Sequence, residues 1–202
     1  MKQINSSHEI VYTVVTSNEM IVAAKHLHHD VYLQMGYLSK PYADRIIPFE
    51  YDDSSIYIAA IDGVNEVVGT IRLSIGMPFN TFKEWSDNFY PSCEGLIKDV
   101  MSARSFEIGA LAVKKSYSSQ KISWGLYKAS YQVALALNLS YGVISMDYRA
   151  LRSMEMLGWF VVKIGQPMDY YGSLTIPGVM PVHMQPDFVS AKNKTYQRYL
   201  CA

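Results

Sequence analysis

The stretch from residue 105 to residue 146 limits most strictly what this chain can fold into. It begins with an apolar run, "SFEIGALAV" (105–113), and ends with a second one, "YGVISM" (141–146). Runs of this length predict buried strands. Between them, apolar residues recur at helical spacing at Ile122, Leu126, Ala129, Val133 and Leu137. A strand, a helix and a strand in this order predict a right-handed crossover between two parallel strands.

The other segments predict antiparallel strands and further helices. An Asp62-Gly63 turn signal between two β-branched runs predicts a hairpin, and Thr16-x-x-Glu19 has the pattern of a helix-starting capping box. Together with the crossover, these segments predict an α+β fold with a mixed central sheet flanked by helices. We expect residues 1–202 to form a single domain. The further strands are predicted at 9–16, 56–61, 67–73, 159–165 and 179–184, and the further helices after Thr16 and at 81–90, 93–101 and 149–157.

Composition excludes several classes of protein. Lys plus Arg and Asp plus Glu both total 18, so no overall positive field favours nucleic acid. Cys93 and Cys201 are far apart, which argues against a disulfide framework. His26, His28 and His29 lack the i, i+4 spacing of a helical zinc site, so we expect no metal. The first 15 residues lack the apolar core of a signal peptide, and no run approaches a membrane span. We therefore expect a cytoplasmic protein without stable membrane insertion.

Glu107 lies inside an apolar strand. Because burying an unpaired charge is costly, this carboxylate needs either an interaction partner or a functional role. It either accepts a proton from a substrate amine or pairs with Arg72 or Arg104. Arg72 in turn either binds a substrate carboxylate or forms an ion pair with Asp53 or Glu107. In a regular strand, residues 107, 109, 111 and 113 would share one face, and 106, 108, 110 and 112 the other.

The segment before the predicted helix at 122 resembles the acyl-donor motif of the GNAT acyltransferase superfamily. That motif, Gln/Arg-x-x-Gly-x-Gly/Ala, opens a helix whose N-terminal N–H groups hold a pyrophosphate or phosphate. Here Ser123 stands at a position where the family usually has glycine. The resemblance implies that the strand backbone at 111–113 binds the pantetheine arm. The residues that it implies for donor binding are Leu111, Ala112, Val113, Gln120, Ser123, Trp124 and Gly125.

A second resemblance covers most of the chain. "HHDVYLQMGYL", "FEYDDSSIYIAA", "VVGTIRLS", "FEIGALAV" and "YYGSLTIPGVMPV" occur in the order seen in long-chain N-acyl amino acid synthases, which are related to acyl-homoserine-lactone synthases. It implies a GNAT-like fold, with Glu107 and Arg72 as catalytic residues and Asp53 in substrate binding. The chain departs from the family pattern at His28 and Ala110, where arginine is usual. We expect His28 to contact substrate.

The resemblance implies an N-acyltransferase that moves a long-chain acyl group from acyl carrier protein, or from acyl-CoA, to the amino group of an amino acid. No permanently bound cofactor is expected, because the acyl-phosphopantetheine donor is a substrate. The rival interpretations are a lactone signal synthase, an acetyl-CoA-dependent acetyltransferase and a non-catalytic acyl-binding module.

Two surfaces are predicted for the donor. A tunnel between the sheet and residues 77–104 would hold the fatty chain, with Trp85, Phe89 and Met101 as its lining. Acyl carrier proteins are acidic, so a local basic rim would attract one to this neutral chain. The residues expected to form that docking rim are Lys114, Lys115, Lys121 and Arg152.

Overall fold

The computed structural model describes residues 9–201, apart from the side chains of residues 119, 120 and 201. This part of the chain forms eight strands and seven α-helices. The strands are β1 (Val11–Val15), β2 (Ser55–Ile61), β3 (Val67–Ile75), β4 (Ser105–Val113), β5 (Tyr141–Asp147), β6 (Val162–Lys163), β7 (Met168–Tyr170) and β8 (Ser173–Pro181). The helices are α1 (Asn18–Gln34), α2 (Asn80–Glu84), α3 (Glu94–Ser102), α4 (Ile122–Ala136), α5 (Tyr148–Met156), α6 (Gln185–Lys192) and α7 (Lys194–Cys201).

All eight strands belong to one mixed sheet. Its order is β1-β2-β3-β4-β5-β8-β6, with β7 also paired to β8. The β4–β5 pair is parallel, whereas the other pairs are antiparallel. The α+β fold class, the β2–β3 hairpin and the crossover through α4 are therefore confirmed.

The two parallel strands separate halfway along their length. They pair from Ser105 opposite Tyr141 to Ile108 opposite Ile144. Beyond that point β4 continues to Val113 and β5 to Asp147 without pairing to each other. The sheet is therefore split by a V-shaped opening, and the β5-facing edge of β4 has no strand partner there.

A β-bulge interrupts β4 beside this opening. Arg72 pairs with Gly109 but Thr70 pairs with Ala112, so β4 has one more residue than β3 in this interval. Ala110 has a positive φ of 52°, the left-handed conformation that accommodates the extra residue. The predicted regular alternation of side chains along β4 is therefore wrong beyond Gly109.

Helices cover both faces of the sheet. On one face, α4 to α7 pack on Phe106, Ile108, Ile144 and neighbouring side chains and enclose the largest core cluster. On the other face, α1 packs on Tyr57 and Ala59. The segment that contains α2 and α3 covers the part of this second face formed by β5 and β8. The opening between β4 and β5 therefore lies between two helical layers.

Several local predictions need correction. Helix α1 is capped by Ser17, whose side chain accepts a hydrogen bond from the Met20 N–H at 3.3 Å, and not by Thr16. The strand predicted at 159–165 is limited to β6, and residues 182–184 form a 3₁₀ turn. Strand β7 and helices α6 and α7 have no counterpart in the sequence prediction.

Candidate active site

A pocket lies over the place where β4 and β5 separate, on the α1 face of the sheet. Its open mouth included, it has an empty volume of about 810 Å³. Charged and polar side chains from β3, β4, β5, β8 and α1 line it, and we call it the polar pocket. Aromatic side chains form most of its wall: Tyr32, Tyr37, Phe49, Tyr170 and Tyr171.

Glu107 lies in the polar pocket but is hydrogen bonded to helix α2. Its Oε2 accepts a hydrogen bond from the Asn80 N–H at 2.9 Å. Its Oε1 accepts from the Thr81 N–H at 2.7 Å and from the Thr81 hydroxyl at 2.5 Å. The carboxylate therefore satisfies N–H groups at the start of α2 that have no partner within the helix. Neither Arg72 nor Arg104, the partners considered for it, forms an ion pair with it among residues 9–201.

Arg72 is the principal cation on the pocket floor. Its guanidinium stacks on Phe49, with Cζ 3.3 Å from the ring centroid, and its buried Nε has no hydrogen-bond partner among the described residues. It pairs with no carboxylate in the described part of the chain. Tyr57 hydrogen bonds to Arg72 and donates to Asp52 at 2.5 Å. The nearby carboxylate of Asp52 thus contacts Tyr57, and neither pocket carboxylate, Glu107 or Asp147, forms an ion pair with Arg72.

Of the two aspartates before β2, Asp52 has contacts within the chain, whereas the prediction singled out Asp53. Burial acts to raise the pKa of Asp52, but hydrogen bonds from Lys25 and Tyr57 outweigh it and leave that pKa below its usual value. Asp53 is exposed and does not line the polar pocket. Substrate contact by Asp53 stays a prediction, and within the chain it is Asp52 that contacts Tyr57 and Lys25.

His28 lies beside Arg72 in the polar pocket. It is 9% exposed, its ring makes an edge contact with Tyr32, and its Nε2 has no partner among the described residues. Burial, followed by the charges of Arg72 and His29, lowers the pKa of His28 to about 3. The imidazole is therefore neutral at physiological pH and presents an unpaired nitrogen inside the pocket.

Asp147 enters the pocket from the end of β5, next to Ser145. Its Oδ1 accepts hydrogen bonds from the Arg149 N–H at 2.8 Å and the Ala150 N–H at 3.3 Å, which caps α5. The Tyr37 hydroxyl lies close to this carboxylate, and burial, followed by the Asp147 charge, raises the pKa of Tyr37.

A second, apolar cavity lies on the α4 face of the same strands. It has an empty volume of about 330 Å³ and is almost wholly apolar. Ile108 lines both this cavity and the polar pocket, so the two lie on opposite sides of the sheet beside the V-shaped opening. The cavity is lined mainly by Phe106, Tyr127, Tyr131, Met154, Trp159 and Met180.

The three residues predicted to line a tunnel lie away from both cavities. Trp85 is fully buried and donates its indole N–H to the Gln166 carbonyl at 3.0 Å, and Phe89 packs on Phe82. Met101 is 53% exposed. None of the three lines the polar pocket or the apolar cavity, because the segment at 77–104 packs directly on β5 and β8.

The donor motif is placed as predicted at the start of α4. Lys121, at φ 56°, precedes a helix that has no side-chain cap, and Ser123 and Trp124 lie in its first turn. A Cβ on Gly125 would lie 2.0 Å from Cζ of Tyr12, so this glycine accommodates the packing of β1 on α4, and its role in donor binding stays a prediction.

The other donor positions remain predictions. The side chain of Gln120 lies outside the described residues. Residues Leu111, Ala112 and Val113 lie on β4 beyond the end of its pairing with β5.

Some side chains of the predicted basic rim already contact other residues of the chain. Lys114 forms an ion pair with Glu66, and the ammonium of Lys121 lies 4.5 Å from the ring centroid of Trp124. Arg152 lies on α5 at 6.0 Å from the ring of Tyr148. Lys115 borders a groove between the end of β4 and α1. A carrier-docking role for these residues stays a prediction.

The described residues contain neither a metal-binding cluster nor a membrane-spanning helix. No group of three or more His, Cys, Asp or Glu side chains among them could hold a metal ion. No helix among them has the length and apolarity to cross a bilayer.

The split between parallel strands, with a crossover helix and a pocket at the split, is a GNAT-like fold, and the family match places the chain in the class of acyltransferases. The chain belongs to the family of N-acyl amino acid synthase FeeM, whose model matches residues 23–181. The structure of FeeM, an N-acyl amino acid synthase from uncultured soil microbes, is similar with a TM-score of 0.73 at 14% identity. That match covers 93% of this chain and 99% of the other.

Acyl-homoserine-lactone synthases have the same fold. LasI matches with a TM-score of 0.72 at 14% identity, over 93% of this chain and 96% of its own. BjaI, a CoA-dependent synthase solved with SAM and isopentyl-CoA, matches with a TM-score of 0.68 at 15% identity, over 93% of this chain and 90% of its own. No curated protein matches the chain in sequence.

Proposed function

We propose that this chain transfers a long-chain acyl group from a phosphopantetheine thioester to the α-amino group of an amino acid. The observation that carries the proposal is the cation of Arg72 on the pocket floor, which forms no ion pair with any carboxylate of the described residues and has a buried Nε without a hydrogen-bond partner. A half-buried guanidinium without an ion-pair partner is unfavourable, and a substrate carboxylate could satisfy it with two parallel hydrogen bonds. An amino acid carries such a group next to its reacting amine.

The two cavities divide the substrates by chemistry. The polar pocket suits the charged amino acid, and the apolar cavity behind Ile108 suits a hydrocarbon chain. The V-shaped opening between them supports a thioester carbonyl held beside β4, within reach of the amine. Holding both groups in one place reduces the entropic part of the barrier.

In the proposed reaction the neutral amine nitrogen attacks the thioester carbonyl carbon. A C–N bond forms, the C–S bond breaks, and the thiol leaves on its phosphopantetheine arm. The unpaired β5-facing edge of β4 beyond Ile108 could supply backbone N–H groups to that arm and to the carbonyl oxygen. The donor is either acyl carrier protein or acyl-CoA, and the basic residues near α4 would favour the acidic carrier protein.

The test is a product assay with the purified full chain. Long-chain acyl carrier protein and acyl-CoA would each be incubated with a panel of amino acids and with the corresponding amino acid amides, and products identified by mass spectrometry. We expect N-acyl amino acids from the free amino acids and at least about 100-fold lower kcat/KM with the amides, which lack the carboxylate. Equal rates with acids and amides would contradict carboxylate recognition.

Arg72→Gln supplies the matched variant. It should lower kcat/KM for amino acids far more than for amides, because only the acids lose an ion pair. Arg104→Gln, which changes an arginine outside the polar pocket, is the control and should leave the ratio of acid to amide unchanged. Mass spectrometry of lipid extracts from bacteria that overproduce the protein would name the natural acyl chain and amino acid.

A further inference from the structure

Two carboxylates line the polar pocket, and their hydrogen bonds differ in kind. Glu107 has three donors from the start of α2, distributed over both of its oxygens. Asp147 accepts both of its backbone N–H bonds at Oδ1. Its second oxygen is not used by the α5 cap, and the carboxylate also meets the Tyr37 hydroxyl. Asp147 is thus the carboxylate with an oxygen, Oδ2, that the helix cap does not use.

The position of Asp147 on β5 also suits the reaction. It lies three residues beyond Ile144, the last residue of β5 that pairs with β4, which corresponds to about 10 Å along a strand. Glu107 pairs with Val143, before the strands separate. Asp147 therefore lies at the open end of the V-shaped split, whereas Glu107 lies at its closed end.

The strand between Arg72 and Asp147 leaves room for a small substrate. Gly109 pairs directly with Arg72, and a Cβ there would lie 3.2 Å from Nη2 of Arg72. Without a side chain at this position, the Arg72 guanidinium can extend over β4. An amino acid could lie across it with its carboxylate toward Arg72 on β3 and its ammonium group toward Asp147 on β5.

We propose that Asp147 is a catalytic residue that binds the α-ammonium group of the acceptor amino acid and removes its proton. This inference rests on the proposed function. One N–H proton passes to Oδ2 of Asp147, which leaves a neutral amine to attack the thioester carbonyl. The second proton passes from the nitrogen of the adduct to the departing thiolate as the C–S bond breaks. Asp147 then returns its proton to solvent through its partly exposed side. Glu107 is assigned the role of holding α2.

The experiment compares acid-to-amide variants in the full chain. Asp147→Asn keeps a carbonyl oxygen that can cap α5 and removes the proton acceptor. Asp147→Ser, which also keeps a helix-capping group, covers the case in which Asn disturbs folding. Asp169→Asn removes an exposed carboxylate of β7 outside the polar pocket and serves as the control. Melting temperatures are measured for every variant.

Each variant is assayed with an amino acid and with an aminooxy acid, whose nitrogen is already unprotonated at neutral pH. We expect Asp147→Asn to lower kcat/KM for the amino acid by about 100-fold or more, and by less than about tenfold for the aminooxy acid. Asp169→Asn should stay within about twofold of the wild type for both. The difference between the two acceptors separates proton removal from simple positioning.

Three outcomes would overturn the assignment. Asp147 variants with amino acid turnover within about threefold of wild type exclude a catalytic role. Equal losses with both acceptors show that Asp147 only positions the substrate. A Glu107→Gln variant that loses turnover selectively for the amino acid, at unchanged melting temperature, transfers the role to Glu107. If the wild-type protein acylates neither acceptor, the proposed function itself is contradicted. This outcome is distinct from the three above, which concern only the role of Asp147.

Discussion

The buried imidazole of His28 predicts a specific pH dependence of folding stability. Burial, then the charges of Arg72 and His29, lowers its pKa from 6.5 to about 3 in the folded chain. Between these values the unfolded chain binds a proton that the folded chain does not. The free energy of unfolding therefore falls as pH decreases from about 6.5 toward about 3, and this contribution is fully present above about 6.5.

The size of the effect follows from the two pKa values. A pKa difference of one unit between the folded and unfolded chain corresponds to about 1.4 kcal/mol in the free energy of unfolding. The full difference between 6.5 and about 3 gives an upper limit of about 5 kcal/mol, spread over the whole window. Half of that loss would already remove a large part of the stability of an ordinary domain, so the effect is measurable well above pH 3.

Urea unfolding between pH 4 and 7 of the wild type, His28→Gln and His28→Asn measures this contribution. Other groups, such as Asp30 and Asp52, titrate in all three proteins, so their contributions cancel in the differences. We expect wild-type stability, relative to either variant, to fall by about 1 kcal/mol per pH unit below pH 6. The two variants differ in absolute stability but should agree in slope. Parallel curves for all three proteins would refute the reasoning.

Three further substitutions test the packing around the site. Gly125→Ala places a Cβ against the Tyr12 ring and should destabilise the fold by about 1–3 kcal/mol in urea unfolding; Tyr12→Ala in the same chain should recover part of the loss, and no recovery would contradict the contact. Glu107→Gln replaces an acceptor of α2 N–H groups by an amide, so the melting temperature should fall by the equivalent of about 1–3 kcal/mol, whereas unchanged melting would exclude the cap. Ala110→Val puts a β-branched residue at positive φ and should cost about 1–3 kcal/mol, while Ala110→Gly should stay close to wild type.

Much of the fold could be predicted from hydrophobic periodicity. The apolar runs at 105–113 and 141–146, with an amphipathic helix between them, determine the parallel pair and its crossover. The bulge at Ala110 could not be predicted, because nothing in "IGALAV" distinguishes a left-handed alanine from an extended one. Helices α6 and α7 were missed because the segment at 185–201 is polar, and its stability comes from tertiary contacts such as Tyr196 in the main core.

The candidate site was only partly predictable. Arg72, Glu107 and His28 were selected from motif positions, and all three line one pocket. That Glu107 caps α2 could not be foreseen, because its partners lie 26 and 27 residues earlier in the chain. Asp147 was missed, although an aspartate directly between a strand and a helix is a recognisable cap. That Asp147 lies beside β4 follows only from the pairing of β5 with β4, which the sequence around Asp147 does not reveal.

The shared border at Ile108 has a practical consequence for anyone who isolates this protein. A molecule that fills both the polar pocket and the apolar cavity must be elongated, with a charged group at one end and a hydrocarbon chain at the other. Membrane lipids and detergents are such compounds. We therefore expect amphiphilic molecules from the expression host to copurify with the protein. Native mass spectrometry would detect them as discrete additions to the mass of the chain.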